Sequence, residues 1–150
     1  MNEKGLKILE YDKIIGMLSE KADSAPGKKC CQELQPMTDL HQINLAQTET
    51  EDALARLFKL GSTSFGSNQD MGFALKSLEI GSTLSMSELL RMARMLDNVN
   101  RIKTYGRKER EDIPRDSLDD YFEQLTPLTQ LSGEISRCIL SEEEMADDAS

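Results

Sequence analysis

Few residues in this sequence have a type and spacing that could do chemistry, and each such group lacks an essential member. Gly61-Ser62-Thr63-Ser64-Phe65-Gly66 has two glycines at P-loop separation. The amides of such a turn cradle phosphates only when a Lys and a magnesium-holding hydroxyl follow it. Here Ser67-Asn68 follows, and a helical pattern precedes where a strand is required, so the segment reads as a linker. Cys30 and Cys31 are adjacent, and neighbours on a helix point about 100° apart. No C-x-x-C or nearby His completes a zinc set. A cysteine nucleophile needs a base, and the one histidine, His41, stands ten residues beyond Cys31 at the start of a helical pattern, where a solvated surface role is the ordinary one. Glu10/Asp12, Glu49/Glu51/Asp52 and Asp119/Asp120/Glu123 lie on segments whose opposite face is apolar, the pattern of the wet side of a helix. The residues therefore offer no catalytic group, no cofactor-binding group and no metal ligand. An enzyme in its own right is the least supported class.

Two groups suit binding better than catalysis. Residues 91–115 carry 8 bases and 4 acids, whereas 1–90 carry 9 and 13, and 116–150 carry 1 and 10. Within the basic strip, Arg101, Lys103, Arg107 and Lys108 are the candidate nucleic-acid contacts. An anionic partner drawn to the strip would be repelled by the acidic end of a chain whose net charge is -9, which argues against tight autonomous nucleic-acid binding. Exposed Lys and Arg are also the usual solvated face of a helix. Met86, Met92 and Met95 recur at helical spacing; such a stripe can be an adaptable partner surface, but core packing is the simpler reading.

The elements that carry these residues are helical. With 150 residues, 5% aromatics, no Trp and 8 Met, the composition favours straight-chain helix formers over strand formers. Apolar residues from Leu6 to Leu18 predict a first helix over about 3–20, with Asn2 as N-cap. Ser24 and Pro26 open a short second helix that stops before Pro36. Thr38 or Asp39 caps a long third helix whose apolar residues run in steps of three and four from Leu40 to Leu60 and which Gly61 closes. Asp70 caps a short helix through Ile80, closed by Gly81; the echo of Gly61-Ser62-Thr63 in Gly81-Ser82-Thr83 reads as shared C-cap chemistry and not as a repeat. Ser85-Met86-Ser87-Glu88 has capping-box spacing and opens a long helix to Tyr105, ended by Gly106. Residues 107–115 are charged enough to predict a mobile loop. A helix from about Asp116 breaks at Pro127, and a last one runs from Leu128 to Leu140.

The expected fold is all-α, six or seven helices in a bundle-like core with two long antiparallel helices. Residues 1–140 are expected to form one helical domain, and the acidic 141–150 lacks the apolar content to be held down and is expected to be disordered. No run approaches the 18 apolar residues of a membrane span, the N-terminus has no signal-peptide pattern, and three cysteines do not make a disulfide framework. These features predict a cytoplasmic location with reduced thiols.

Six stretches in order carry a resemblance. Leu9-Glu10-Tyr11-Asp12-Lys13-Ile14, then Ser24 with Gly27-Lys28 and Leu34-Gln35-Pro36-Met37-Thr38-Asp39, resemble the first helix and following turn of the N-terminal region of the second bacterial MutS subfamily, MutS-two. Gln47-Thr48-Glu49-Thr50-Glu51-Asp52-Ala53 is similar to its Q-x-E-T-E-x-A stretch. Leu78-Glu79-Ile80-Gly81-Ser82-Thr83-Leu84 with Ser87-Glu88-Leu89-Leu90 is similar to its glycine turn and capping segment. Glu134-Ile135-Ser136-Arg137-Cys138-Ile139 and Asp147-Asp148-Ala149-Ser150 resemble its E-I-x-R-x-I and D-x-A-S pieces. The 61–70 loop departs from the family's more apolar, Pro-containing version, and 107–115 matches no family pattern.

What this resemblance implies is a region of a longer chain. The family continues into lever and clamp helices, a P-loop ATPase and commonly a C-terminal Smr nuclease domain. Its members are dimeric ATPases, using ATP and Mg, associated with branched or mismatched DNA, restraint of homologous recombination and rescue of collided ribosomes. The 150 residues would be the helical core joining levers to ATPase, with the rest of its own chain as first partner and DNA or the ribosome reached through the whole protein. The alternative is an independent helical adaptor whose Met-rich or basic face docks a protein or RNA.

Overall fold

The computed structural model describes residues 3–66, 71–107 and 114–149. Asn2 and Asp70, expected as helix caps, and most of the expected 107–115 loop lie outside the described residues. The chain divides into two compact units, Met1–Gln69 and Asp70–Ser150. The described residues form eight α-helices and one isolated antiparallel bridge, so the class is all-α as expected.

In the first unit, the single helix expected over 3–20 is two: α1, Glu3–Ile8, and α2, Tyr11–Lys21. The break is at Glu10, whose φ of 52° is left-handed. Its N–H turns back to Lys7 O at 3.2 Å, ending α1, while its carbonyl accepts from Lys13 N at 3.0 Å, starting α2. Apolar periodicity runs across the break, so spacing alone does not show it. A non-glycine side chain in this region costs about 1–2 kcal/mol. Glu10→Gly is accordingly expected to raise the urea midpoint, and a lower midpoint would show that the exposed Glu10–Lys13 contact, 2.6 Å, outweighs the strain.

Helix α3, Ala25–Gln32, opens on Ser24, whose Oγ accepts from Gly27 N at 3.1 Å, with Pro26 in the first turn. Helix α4, Leu40–Leu60, opens on Asp39, whose Oδ1 accepts from Gln42 N at 2.9 Å. Of the two caps offered by the sequence, Asp39 is therefore the one used. Helix α4 ends at Gly61, φ 78°. Helix α2 packs on α1 and α3, and the Tyr11 hydroxyl donates to Leu34 O at 3.2 Å. Among the described residues of this unit, only Ser19 is buried. The described apolar side chains of this unit are half-buried at most, as Ile15, Ile43 and Leu60 are.

The second unit holds the core. Helix α5, Gly72–Glu79, is capped by Ile80 and turns at Gly81, φ 80°, with Ser82 N donating to Ser77 O at 2.9 Å; Gly61 shares the positive φ but is itself the cap of α4 and donates to Leu57 O at 3.1 Å, so the expected shared cap chemistry extends to the glycine backbone alone. Helix α6, Met86–Arg107, is the second long helix and packs against α7, Asp119–Gln124, and α8, Thr129–Cys138. Ala93, Ile135 and Ile139 form a buried cluster, with Met86, Leu89, Leu90 and Cys138 against it. Met92, Leu96, Ile102 and Phe122 are buried as well. Met92 thus serves packing, as its spacing with Leu96 suggests.

Helix α7 starts later than Asp116 because the intervening side chains make a turn of their own. Asp116 Oδ1 accepts from Leu118 N at 2.9 Å and Asp119 Oδ2 accepts from Asp116 N at 3.1 Å. Gly106, expected as the terminator of this helix, lies inside α6 and against Phe122 of α7. A Cβ there would fall 2.6 Å from Phe122 Cβ and closer still to the ring. The neighbouring Tyr105 ring is tilted 56° to Phe122 at 6.1 Å between centroids.

Candidate functional site

The segment on which the basic candidates sit is built from a cap outward. Ser85 N donates to Glu88 Oε2 at 2.8 Å, Ser85 Oγ donates to the same oxygen at 2.7 Å, and Glu88 N donates to Ser85 Oγ at 3.3 Å. This is the reciprocal box that the spacing of the two residues predicts. The donors from Ser85, backbone first and hydroxyl second, hold the Glu88 carboxyl below the usual carboxylate range, with Arg91 adding to the effect. A lowered folded value means that the contribution is present above the unfolded pKa and is lost as pH falls through the folded one. The urea midpoint of the wild-type chain, relative to Glu88→Gln, is therefore expected to fall on acidification. A difference that stays flat from about pH 7 to about pH 3 would contradict this assignment.

From that start, α6 carries Arg101, Lys103 and Arg107 along its last two turns. Residues two apart on a helix sit about 200° apart, so Arg101 and Lys103 occupy nearly opposite sides, whereas Lys103 and Arg107 share one. Arg101 donates to Asn98 Oδ1 on its own helix. Lys103 is committed to tertiary structure: its Nζ donates to Glu123 O at 3.1 Å and to Leu125 O. These are carbonyls at the C-terminal end of α7, where a cation satisfies groups that the helix cannot pair internally. Arg107 is the last residue of α6 and is exposed. Lys108 lies outside the described residues. The helix therefore does not gather Arg101, Lys103 and Arg107 into one patch.

The role of Lys103 is invisible in the sequence, because its acceptors lie 20 and 22 residues on and are backbone atoms. Arg137 is a second such case. It pairs with Glu134 at 3.0 Å and donates to Asp148 O at 2.8 Å, contacts that raise its already high pKa, Glu134 contributing most. The segment after α8 folds back through the Ile139–Met145 bridge, with Ala146 N donating to Cys138 O at 2.9 Å and Leu140 N to Glu144 O at 2.9 Å. For 141–149 the backbone and Arg137 supply the contacts that composition does not reveal.

Cys30, Cys31 and Cys138 are free thiols, and His41 is exposed. Among the described residues, no three His, Cys, Asp or Glu side chains are grouped to hold a metal ion. Nor is any described helix long and apolar enough to cross a membrane. Residues 61–66 have no regular structure, and within them Ser64 Oγ accepts from Gly66 N at 3.0 Å.

The geometry thus defines an all-α chain, helical in both of its units. No known protein-family profile matches the chain. Individual relatives match over its entire length: the endonuclease MutS2 of Agathobacter rectalis at 47% identity over 150 residues, that of Lachnoclostridium phytofermentans at 44% over 155, and that of Lachnospira eligens at 39% over 150. In each case the match covers 100% of this chain but only 19%, 20% and 18% of the relative, respectively. The chain spans about a fifth of the length of these curated relatives. It is related over its whole length to the N-terminal region of the MutS2 family, as its six motifs imply.

Proposed function

We propose that these 150 residues are the structural N-terminal core of a MutS-type ATPase. In this reading the whole protein acts on branched or mismatched DNA, where it suppresses homologous recombination, or on collided ribosomes. The observation that carries it is the full-length match to relatives some five times longer. A scaffold role is supported by the tertiary commitment of Lys103. The core relays nucleotide state between the ATPase and the clamp, ATP and Mg being held elsewhere in the longer polypeptide. That polypeptide is a cytoplasmic homodimer whose nuclease activity, named for its relatives, resides outside this region.

The 150-residue chain is therefore expected to bind neither ATP-Mg nor a four-way DNA junction saturably at physiological salt, as read by calorimetry and by fluorescence anisotropy. Tight, saturable binding of either ligand would contradict this division of labour. For the junction, Arg101→Glu with Arg107→Glu is the discriminating variant: affinity and salt slope that do not change exclude the basic strip as the contact.

A further inference from the structure

The segment after α8 is held on the second unit by contacts of a different kind from those that hold its helices. Residues 140–149 return along the end of α8, closed by the Ile139–Met145 bridge. Ala146 N donates to Cys138 O and Leu140 N to Glu144 O, both at 2.9 Å. Arg137 Nη1 donates to Asp148 O at 2.8 Å, and the half-buried Cys138 thiol donates to Ala149 O at 3.6 Å. No residue of 140–149 is buried; Ala146 and Ala149 are half-buried, whereas Leu140 is 58% and Met145 55% exposed. Docking therefore brings little of the apolar burial that joins α6 to α8 and that dominates folding. It also gathers like charge. Glu142, Glu143, Glu144, Asp147 and Asp148 all lie on the returning segment, and Arg137 is the one base in residues 116–150. Its guanidinium bridges Glu134 Oε2, 3.0 Å from Nη2, and Asp148 Oδ2, 3.9 Å from Nη1.

We infer that residues 140–149 are a strap over the Cys138 thiol, latched by Arg137 and able to open while α6, α7 and α8 stay folded. Segments with few buried apolar contacts and exposed backbone hydrogen bonds are the ones that open locally, at a fraction of the global stability. The strap has both properties, and its one charged latch holds it through a main-chain and a side-chain oxygen of the same residue, Asp148. Without the guanidinium, the carboxylates of Glu134 and Asp148 have no cation between them, and an attraction becomes a repulsion. Ile139, just before the strap, is held in the core with Ala93 and Ile135, which places the hinge at Leu140. What the two states control is access. Closed, the carbonyl of Ala149 caps the thiol; open, the thiol is free to react.

Alkylation of Cys138 by iodoacetamide, followed by mass on the 150-residue chain carrying Cys30→Ser and Cys31→Ser, reads the opening. In the native chain Cys138 is expected to react at least about 10-fold more slowly than in the urea-unfolded chain, because the rate tracks the open population. Arg137→Gln is expected to raise the native rate about 10-fold, the effect of losing a charge-assisted contact on a local equilibrium, with the urea midpoint of the Asp70–Ser150 unit unchanged. Arg137→Lys, which keeps the charge but not the fork, is expected to fall between the two. Loss of the charge by itself would slow alkylation, because a neighbouring cation favours the thiolate, so a rise reports opening. Ala146→Pro removes the donor to Cys138 O, leaves Arg137 in place and is expected to raise the rate as well. An unchanged rate in either variant would overturn the proposal. So would a rise matched by a proportionate fall in the urea midpoint, since strap and helices would then open as one. A native rate equal to that of the unfolded chain would show that no closed state covers the thiol, with the same consequence.

Discussion

Gly106→Ala is expected to destabilise the Asp70–Ser150 unit by about 2 kcal/mol, although alanine is ordinarily the better residue inside a helix. Two terms oppose each other. Replacing a glycine inside a helix by alanine gains up to about 1 kcal/mol through propensity, and Gly106, in the last turn of α6, gains at most that. Against it stands the overpacking of a close contact, which typically costs about 1–3 kcal/mol and more where backbone must shift. The second term wins here because the added methyl meets Phe122 at Cβ and the base of its ring, not at the far end of a flexible chain. Phe122 is itself buried, so α7 must move as a body. Urea unfolding of the single variant, of Phe122→Leu and of the double variant separates the terms: coupling is expected, with Gly106→Ala less costly in the Phe122→Leu background. Additive effects would show that Gly106 answers to local helix geometry alone.

Ile135→Ala is expected to cost more, about 2–5 kcal/mol by the usual range for truncating a buried aliphatic side chain. Ile135 sits in the cluster with Ala93 and Ile139 through which α8 meets α6, and Ala93 is only 2% exposed. The small side chain at 93 lets the two helices approach, and Ile135 fills the space so created. The loss should appear as a lower thermal midpoint together with faster exchange of the α8 amides. Truncation of the exposed Leu131 on the same helix should change the midpoint little, and equal effects at 131 and 135 would place the core elsewhere.

The parts of this structure that are legible in the sequence are those decided within one helical turn. Ser24 with Pro26, Asp39, the Ser85–Glu88 box and the glycines at 61 and 81 each fix a helix end through contacts between residues at most four apart. The parts that are not legible depend on distant partners or on a single backbone dihedral. Glu10 breaks a continuous apolar stripe through its φ, which no spacing reports. Gly106, read as a terminator, is a packing site because Phe122 lies opposite it. Lys103 reads as a basic-face residue until the end of α7 is placed beside it. The candidate nucleic-acid contacts share a charge and a stretch of sequence, but helical geometry sets Arg101 nearly opposite Lys103 and Arg107, and Lys103 has a structural use.

The absence of a buried apolar side chain among the described residues of 3–66, despite a strong helical pattern, follows from the same logic. Amphipathic periodicity states that a face will be covered, and it does not state by what.

The most direct test is the mass of the endogenous protein, detected in an extract of the source cell with an antibody raised against residues 1–150. The account predicts a band several times heavier than the 16.9 kDa of this chain. A band at 16.9 kDa, with no heavier species, would contradict it and leave a small helical protein whose exposed faces need another partner.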